Sequence, residues 1–277
     1  MSEYGILYVV GTPIGNLSDM SPRAVQTLEE VDFIAAEDTR VTLKLLNHFE
    51  IKKPMISYYE HNKKERGEII CRRLMSGENG AIVTDAGMPC ISDPGEELIR
   101  QCGEYGIKTA VVPGPSAVIS ALAVSGLETG RFTFEGFLSV NKKSRREHLS
   151  ELQGERRTMI FYEAPHKLPN TLEDFKNAFP ERKLTIVREI TKIHEEVIRT
   201  TTDKAFELYG DGSLKGEIVL VLEGAKEEVK EEYTLEDAVN LAKSLIDGGE
   251  KKSEAAKEAA SVTGFKKNEI YRILNQR

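Results

Sequence analysis

Between residues 6 and 112 the chain repeats one pattern: a short apolar run, a loop of small or polar residues, then a helical segment. The runs are ILYVV at residues 6–10, FIAA at 33–36, MISYY at 55–59, AIV at 81–83 and TAVV at 109–112. Runs this short, bounded by turn residues, read as buried strands. Strands alternating with helices imply a mainly parallel sheet joined by right-handed crossovers. Ser21 followed by Pro22 is a helix start, a serine cap before a proline at the first helical position. In open sheets of this kind, ligands gather in the loops beyond the carboxyl ends of the strands. One such loop lies within residues 81–95, AIVTDAGMPCISDPG. It leaves its strand through Thr84, Asp85 and Gly87, carries Pro89 and Pro94, and resumes a helical pattern at Glu96. Glycine admits close backbone approach and proline fixes loop shape. The stretch therefore reads either as a ligand loop or as an ordinary surface connection.

The pattern changes after residue 114. PGPSA, at 113–117, turns stiffly into an apolar helix over 118–124. Strand-like runs then follow at 132–137, 159–162, 184–190, 196–202 and 217–222, with few long helices between them. Near residue 226 the composition shifts again. Residues 226–250 carry three basic and eight acidic side chains, a net of −5, and residues 251–277 carry seven basic and three acidic, a net of +4. Within the basic part, Ser253 reads as the cap of a short helix that Thr263 and Gly264 end. A second helix over 266–274 sets Ile270, Ile273 and Leu274 on one face. The pair resembles a helix-turn-helix, or a plain helical hairpin. The expected architecture is α/β: a mainly parallel domain over 1–114, a mixed α+β domain over 115–226, and a small helical extension over 227–277.

Several functions are disfavoured. No apolar run is long enough to cross a bilayer, and the N-terminal apolar run lacks a preceding basic segment. The cysteines, Cys71, Cys90 and Cys102, form no CxxC pair and no ligand spacing with histidine, so no metal is expected and a reducing, cytoplasmic setting fits. The GTPIGN loop lacks the dinucleotide glycine spacing and the lysine of a phosphate loop, although Glu37 ends the second strand where a ribose would be held. The net charge of −7 argues mildly against nonspecific binding of nucleic acid, yet conceals local patches.

Seven segments, taken in order, are specific: LYVVGTPIGNLSD, AAEDTR, TDAGMPCISDPG, VVPGPSA, FYEAPHK, REITK followed by HEE, and GEIVLVLEG. Together they resemble the tetrapyrrole-methylase-like family of S-adenosylmethionine-dependent enzymes, the class III methyltransferases. Within it the chain is similar to the branch that modifies ribosomal RNA. The resemblance implies a two-domain homodimer with S-adenosylmethionine in the cleft between domains. It also implies 2′-O-methylation of a cytidine ribose in the decoding region, on small-subunit rRNA or the assembled small subunit. It assigns the cofactor to Gly11 and Pro13, to Asp85, Met88, Ile91 and Ser92, to Ser116 and Ala117, to Tyr162 and Ala164, and to Gly216, Glu217 and Ile218. Small-molecule members tend to carry Gly-Asp-Pro where this chain has Gly87, Met88 and Pro89, so Asp85 is the candidate replacement for the missing acid.

Methyl transfer to a ribose hydroxyl needs alignment and a place for the proton. Candidate bases are Asp38, His61 and Glu189. Arg40 and Arg188 are candidate phosphate clamps, since a guanidinium matches phosphate oxygens in a fork. Residues 37–40 also read as a helix cap, and His61 as a structural hydrogen-bonder. Lys142, Lys143, Arg145 and Arg146, with Lys251, Lys252, Lys266 and Lys267, are the expected RNA contacts. The acidic segment would then be a spacer between body and tail, or a solvated linker. Rival readings are a tetrapyrrole methyltransferase of the same family and a nonenzymatic nucleic-acid-binding regulator.

Overall fold

The computed structural model describes residues 4–226 and 233–275. The chain divides into two compact units, Met1–Ala225 and Lys226–Arg277.

The first unit holds two five-stranded sheets. One is formed by β1 (Ile6–Val10), β2 (Phe33–Ala36), β3 (Met55–Ser57), β4 (Gly80–Val83) and β5 (Lys108–Val112), in the order β3-β2-β4-β1-β5. Every pairing in it is parallel. Its inner strands β2 and β4 are buried on both faces, which is why they read as unbroken apolar runs, whereas the edge strand β5 leaves Val111 exposed. Along β2 the side chains alternate: Ile34 and Ala36 join the core under α1 (Pro22–Glu30) and α2 (Thr39–His48). Phe33 and Ala35 join the opposite core under α3 (Lys63–Met75) and α4 (Gly95–Glu104). Ser21 caps α1 through its hydroxyl, which accepts from the Ala24 amide.

The second sheet comprises β6 (Phe132–Phe137), β7 (Thr158–Glu163), β8 (Lys183–Arg188), β9 (Glu196–Thr201) and β10 (Ile218–Leu222), ordered β6-β7-β10-β8-β9. Only β6 and β7 run parallel; β10 is antiparallel to both β7 and β8. One face packs on α5 (Ala117–Ser125) through Val118, Ala121 and Leu122. The other is covered by α6 (Lys142–Glu151), α7 (Leu168–Ala178) and α8 (Thr202–Tyr209). These helices are short, 8 to 11 residues, and α6 and α8 are polar outside one buried stripe and carry little apolar signal. The strand expected over 184–190 ends at Arg188, because Glu189 enters the left-handed region at φ 50°.

The second unit is a cluster of α9 (Leu235–Asp247), α10 (Lys252–Thr263) and α11 (Lys267–Leu274), with Ala238, Ala242, Ala256, Ala259 and Ile270 at its centre. The acidic segment is therefore not a linker over its whole length. Thr234 and Asp237 close a capping box that starts α9. Residues 227–232 of that segment lie outside the described residues. Ser253 does not cap α10. Lys251 holds that position through its carbonyl, and the Ser253 hydroxyl accepts from Lys267 Nζ at 3.0 Å. No helix among the described residues is long and apolar enough to cross a membrane.

Candidate active site

The loops beyond β1, β2, β4 and β5 converge with the ends of β6, β7 and β8 and the start of β10 around a cavity of about 460 Å³. This volume lies in the range of ~300–1,000 Å³ usual for small-molecule sites.

The β4–α4 loop is its central wall. Gly87 (φ 88°), Cys90 (φ 69°) and Ser92 (φ 65°) all take left-handed backbone. Such conformations in residues other than glycine cost roughly 1–3 kcal/mol each and gather at functional sites. Asp93 holds the turn by accepting from the amides of Cys90 (3.0 Å) and Gly95 (2.8 Å). Burial nevertheless pushes its carboxyl above the usual range. Thr12 and Gly87 exchange backbone hydrogen bonds at 2.9 and 3.1 Å, tying this loop to the β1 loop. Gly11 lies so close to Gly114 that a Cβ on it would stand 2.7 Å from the Gly114 Cα and from Met88 Sδ. The Gly114 amide donates to that sulfur at 3.3 Å.

Of the residues assigned to the cofactor, Met88, Ile91 and Ser92 line the cavity from the β4–α4 loop, and Ser116 and Ala117 from the start of α5. Tyr162, Ala164, Glu217 and Ile218 line it from the second sheet. Gly11 is packed behind Met88. Gly216 backs onto the Glu189 side chain, which a Cβ would approach to 2.6 Å. Pro13 and Asp85 face a second cavity of about 260 Å³. Thr84 borders both cavities, so the β4–α4 loop is the partition between them. The missing Gly-Asp-Pro acid is thus not replaced by Asp85 in the first cavity; the acidic residues lining it are Glu37, Asp93, Glu163 and Glu217.

The candidate bases differ in environment. Asp38 caps α2 by accepting from the Arg40 amide at 2.8 Å and pairs with the Arg40 guanidinium at 2.6 Å. That guanidinium and the amide hold its carboxyl down at about 2. The Arg40 side chain itself is 87% exposed. Glu189 accepts from the Glu217 amide at 2.8 Å and from Lys192 at 3.1 Å, which also lowers its pKa. It staples the end of β8 to the start of β10. His61 lies exposed in the turn before α3, against Tyr59, and borders neither cavity. Asp85 behaves in the opposite way to Asp38: burial, reinforced by the charge of Glu37, raises its pKa. Arg188 is spent on the Lys215 carbonyl and Glu196.

Lys142, Lys143 and Arg146 stand exposed on α6, whereas Arg145 turns inward to pair with Asp174 and donate to Thr171 Oγ1 at 2.7 Å. In the second unit Lys251, Lys252 and Lys266 are exposed and Lys267 is half-buried.

Sequence reasoning missed Ile14, Phe137, Glu163 and Ile190. Phe137 is aimed by a bulge in β6 between Phe134 and Gly136, and its ring sits 5.5 Å from Tyr162. Glu163, 5% exposed, accepts from the Ala164 amide at 2.8 Å and from the Thr171 hydroxyl. The signal for it was present in FYEAP, an acid ending an apolar strand. No group of three or more potential metal ligands occurs among the described residues.

A family model for tetrapyrrole (corrin/porphyrin) methylases matches residues 6–205. A curated relative from Synechocystis sp., named ribosomal RNA small subunit methyltransferase I, is 47% identical and covers 97% of each chain. One of the same name from Thermotoga maritima is 48% identical over 220 residues, spanning 79% of this chain and 99% of its own. Among solved structures, uroporphyrin-III C-methyltransferase from Thermus thermophilus, complexed with S-adenyl homocysteine, superposes with a TM-score of 0.55 at 15% identity. It covers 79% of this chain and 97% of that one, a likeness of fold.

Proposed function

The chain belongs to the tetrapyrrole (corrin/porphyrin) methylase family. On that premise we propose that it transfers the methyl group of S-adenosylmethionine to the 2′-hydroxyl of a cytidine in the decoding region of small-subunit rRNA. It acts as a cytoplasmic homodimer. The observation that carries the proposal is the 47% identity, over nearly all of both chains, to a relative named for that RNA.

The first cavity suits the donor. Carboxylates at Glu37 and Asp93 face a ligand that is positively charged at its sulfur and amino group, and the rings of Phe137 and Tyr162 favour a cation near their faces. Ile14 and Ile190 supply apolar wall, and the Ser116–Ala117 backbone opens α5. The S-adenyl homocysteine bound in the Thermus thermophilus structure is what such a donor becomes after transfer. When bound, the donor supplies an activated methyl for in-line displacement. The protein's tasks are then to align the acceptor and receive its proton. A base works best when its pKa lies near the working pH. Asp38 and Glu189 are held acidic by their partners, so Asp85, raised by burial at the partition, takes the proton. Arg40, exposed at the start of α2, and Lys142, Lys143 and Arg146 on α6 meet phosphates. Arg145 supports α6 from beneath. Exposed apolar side chains on the edge strand β5 (Val111) and on α5 (Ile119, Val124) support a dimer contact.

Mass mapping of 2′-O-methyl groups on small-subunit rRNA, from cells with and without the gene, tests the reaction directly. One cytidine in the decoding region should lose its methyl; an unchanged map rejects the proposal. S-adenosylmethionine at 100 times its Kd should stabilise the native protein by roughly 2.7 kcal/mol in a thermal scan.

A further inference from the structure

The second cavity has no role above beyond holding Asp85. Its walls are apolar where the β1 loop and α2 supply them: Pro13, Leu17, Val41 and Leu45. Leu17 and Val41 are among the large apolar side chains left exposed. One polar atom stands out. Thr42, only 3% exposed, lines this cavity, and its Oγ1 has no hydrogen-bond partner among the described residues. A threonine inside a helix ordinarily returns its hydroxyl to the carbonyl four residues back. Thr27 does so at 2.8 Å and Thr263 at 2.6 Å. Thr42 does not, and a buried hydroxyl left unpaired destabilises the fold. The oxygen is shielded in this structure, so a partner from outside the chain reaches it when the cavity wall gives way.

We propose that the second cavity is the acceptor-base subsite: it takes one nucleobase extruded from the RNA, with Thr42 Oγ1 hydrogen-bonding the base and Pro13, Leu17 and Val41 packing on its faces. The assignment rests on the methyl-transfer reading above. The volume, about 260 Å³, is smaller than usual for a whole cofactor and suits a single ring system. Sequence-specific proteins commonly read RNA by splaying out unstacked bases onto apolar or aromatic surfaces and hydrogen-bonding their edges. A base seated here places its ribose at the partition, where Asp85 faces the second cavity and Thr84 borders both. Lys44 lines the rim, four residues along α2 from Arg40, so both cations lie on one helix face for the flanking phosphates.

The test compares Thr42→Val, which removes the hydroxyl at nearly constant volume, with Thr42→Ser, which keeps it. Tritium transfer to naked small-subunit rRNA and to assembled small subunits gives KM and kcat. Calorimetry gives S-adenosylmethionine affinity, and a thermal scan gives Tm. Thr42→Val should lose about tenfold in kcat/KM for RNA, mostly through KM, the loss of one hydrogen bond to the base. Its cofactor affinity should be unchanged and its Tm equal or higher. Thr42→Ser should behave like the parent. If Thr42→Val matches the parent in KM, the subsite is overturned while RNA methylation stands. A variant that loses Tm and cofactor affinity together with activity marks the hydroxyl as structural and also overturns it. If the parent itself transfers no methyl to either RNA, the underlying reading fails first.

Discussion

Asp38 and Asp85 stand beside each other at the ends of adjacent strands, the Asp38 amide donating to Asp85 Oδ1 at 3.2 Å, yet their acidities are driven apart. The linkage differs in sign as well. Asp38, depressed by Arg40, stabilises the fold above its unfolded value of 3.8, and that contribution is lost as pH falls through about 2. Asp85, raised in the fold, contributes stability only at low pH and loses it as pH rises through its elevated pKa. At neutral pH its ionised form is therefore carried at a cost. Asp85→Asn should raise Tm at pH 7 while lowering methyl transfer by roughly 10²–10⁴-fold and removing the acid limb of the pH–rate profile. Asp38→Asn keeps a capping oxygen and should lose less than about tenfold in the same tritium assay. Both residues could be picked out in the sequence as acids following apolar strands. Their division of labour could not, because it depends on Arg40 folding back over one and on burial of the other, reinforced by Glu37.

At the scale of elements, the inner strands were legible because burial on both faces leaves nothing but apolar side chains in FIAA and IVLVL. Helices that bury only a stripe were less so. The acidic exterior of α9 concealed Leu235, Ala238, Val239 and Ala242 facing inward. Thr42 gave no signal at all, since an unpaired hydroxyl is a property of packing and not of pattern. The β1 and β5 loops meet backbone to backbone at Gly11 and Gly114, with Met88 wedged against both. Gly11→Ala presses on the Gly114 backbone as well as on Met88 Sδ, an overpacking that costs roughly 1–3 kcal/mol. The expected outcome is a lower urea midpoint together with weaker S-adenosylmethionine binding by calorimetry. A destabilised variant with undiminished affinity would show that the contact supports the sheet and not the site.

For the whole molecule, the division after Ala225 separates the catalytic body from the helical cluster. The Thermotoga maritima relative is matched over 99% of its length by 79% of this chain. Removing residues 226–277 should leave Tm and S-adenosylmethionine affinity of the body unchanged. It should also weaken binding to small subunits by about tenfold and flatten its dependence on salt, since Lys251, Lys252 and Lys266 leave with it. Truncation only a few residues earlier should act quite differently. The last strand of the body, β10, is the middle strand of its sheet, with β7 and β8 on either side. While the chain is being synthesised, β7 and β8 emerge with no common neighbour, two raw edges waiting for residues 218–222. The second sheet can close only when nearly all of the body has left the ribosome. A nascent chain stalled at residue 215 should stay protease-sensitive beyond residue 130, whereas one stalled with residue 225 clear of the exit tunnel should resist. The protein is thus most in need of a chaperone just before its last strand arrives.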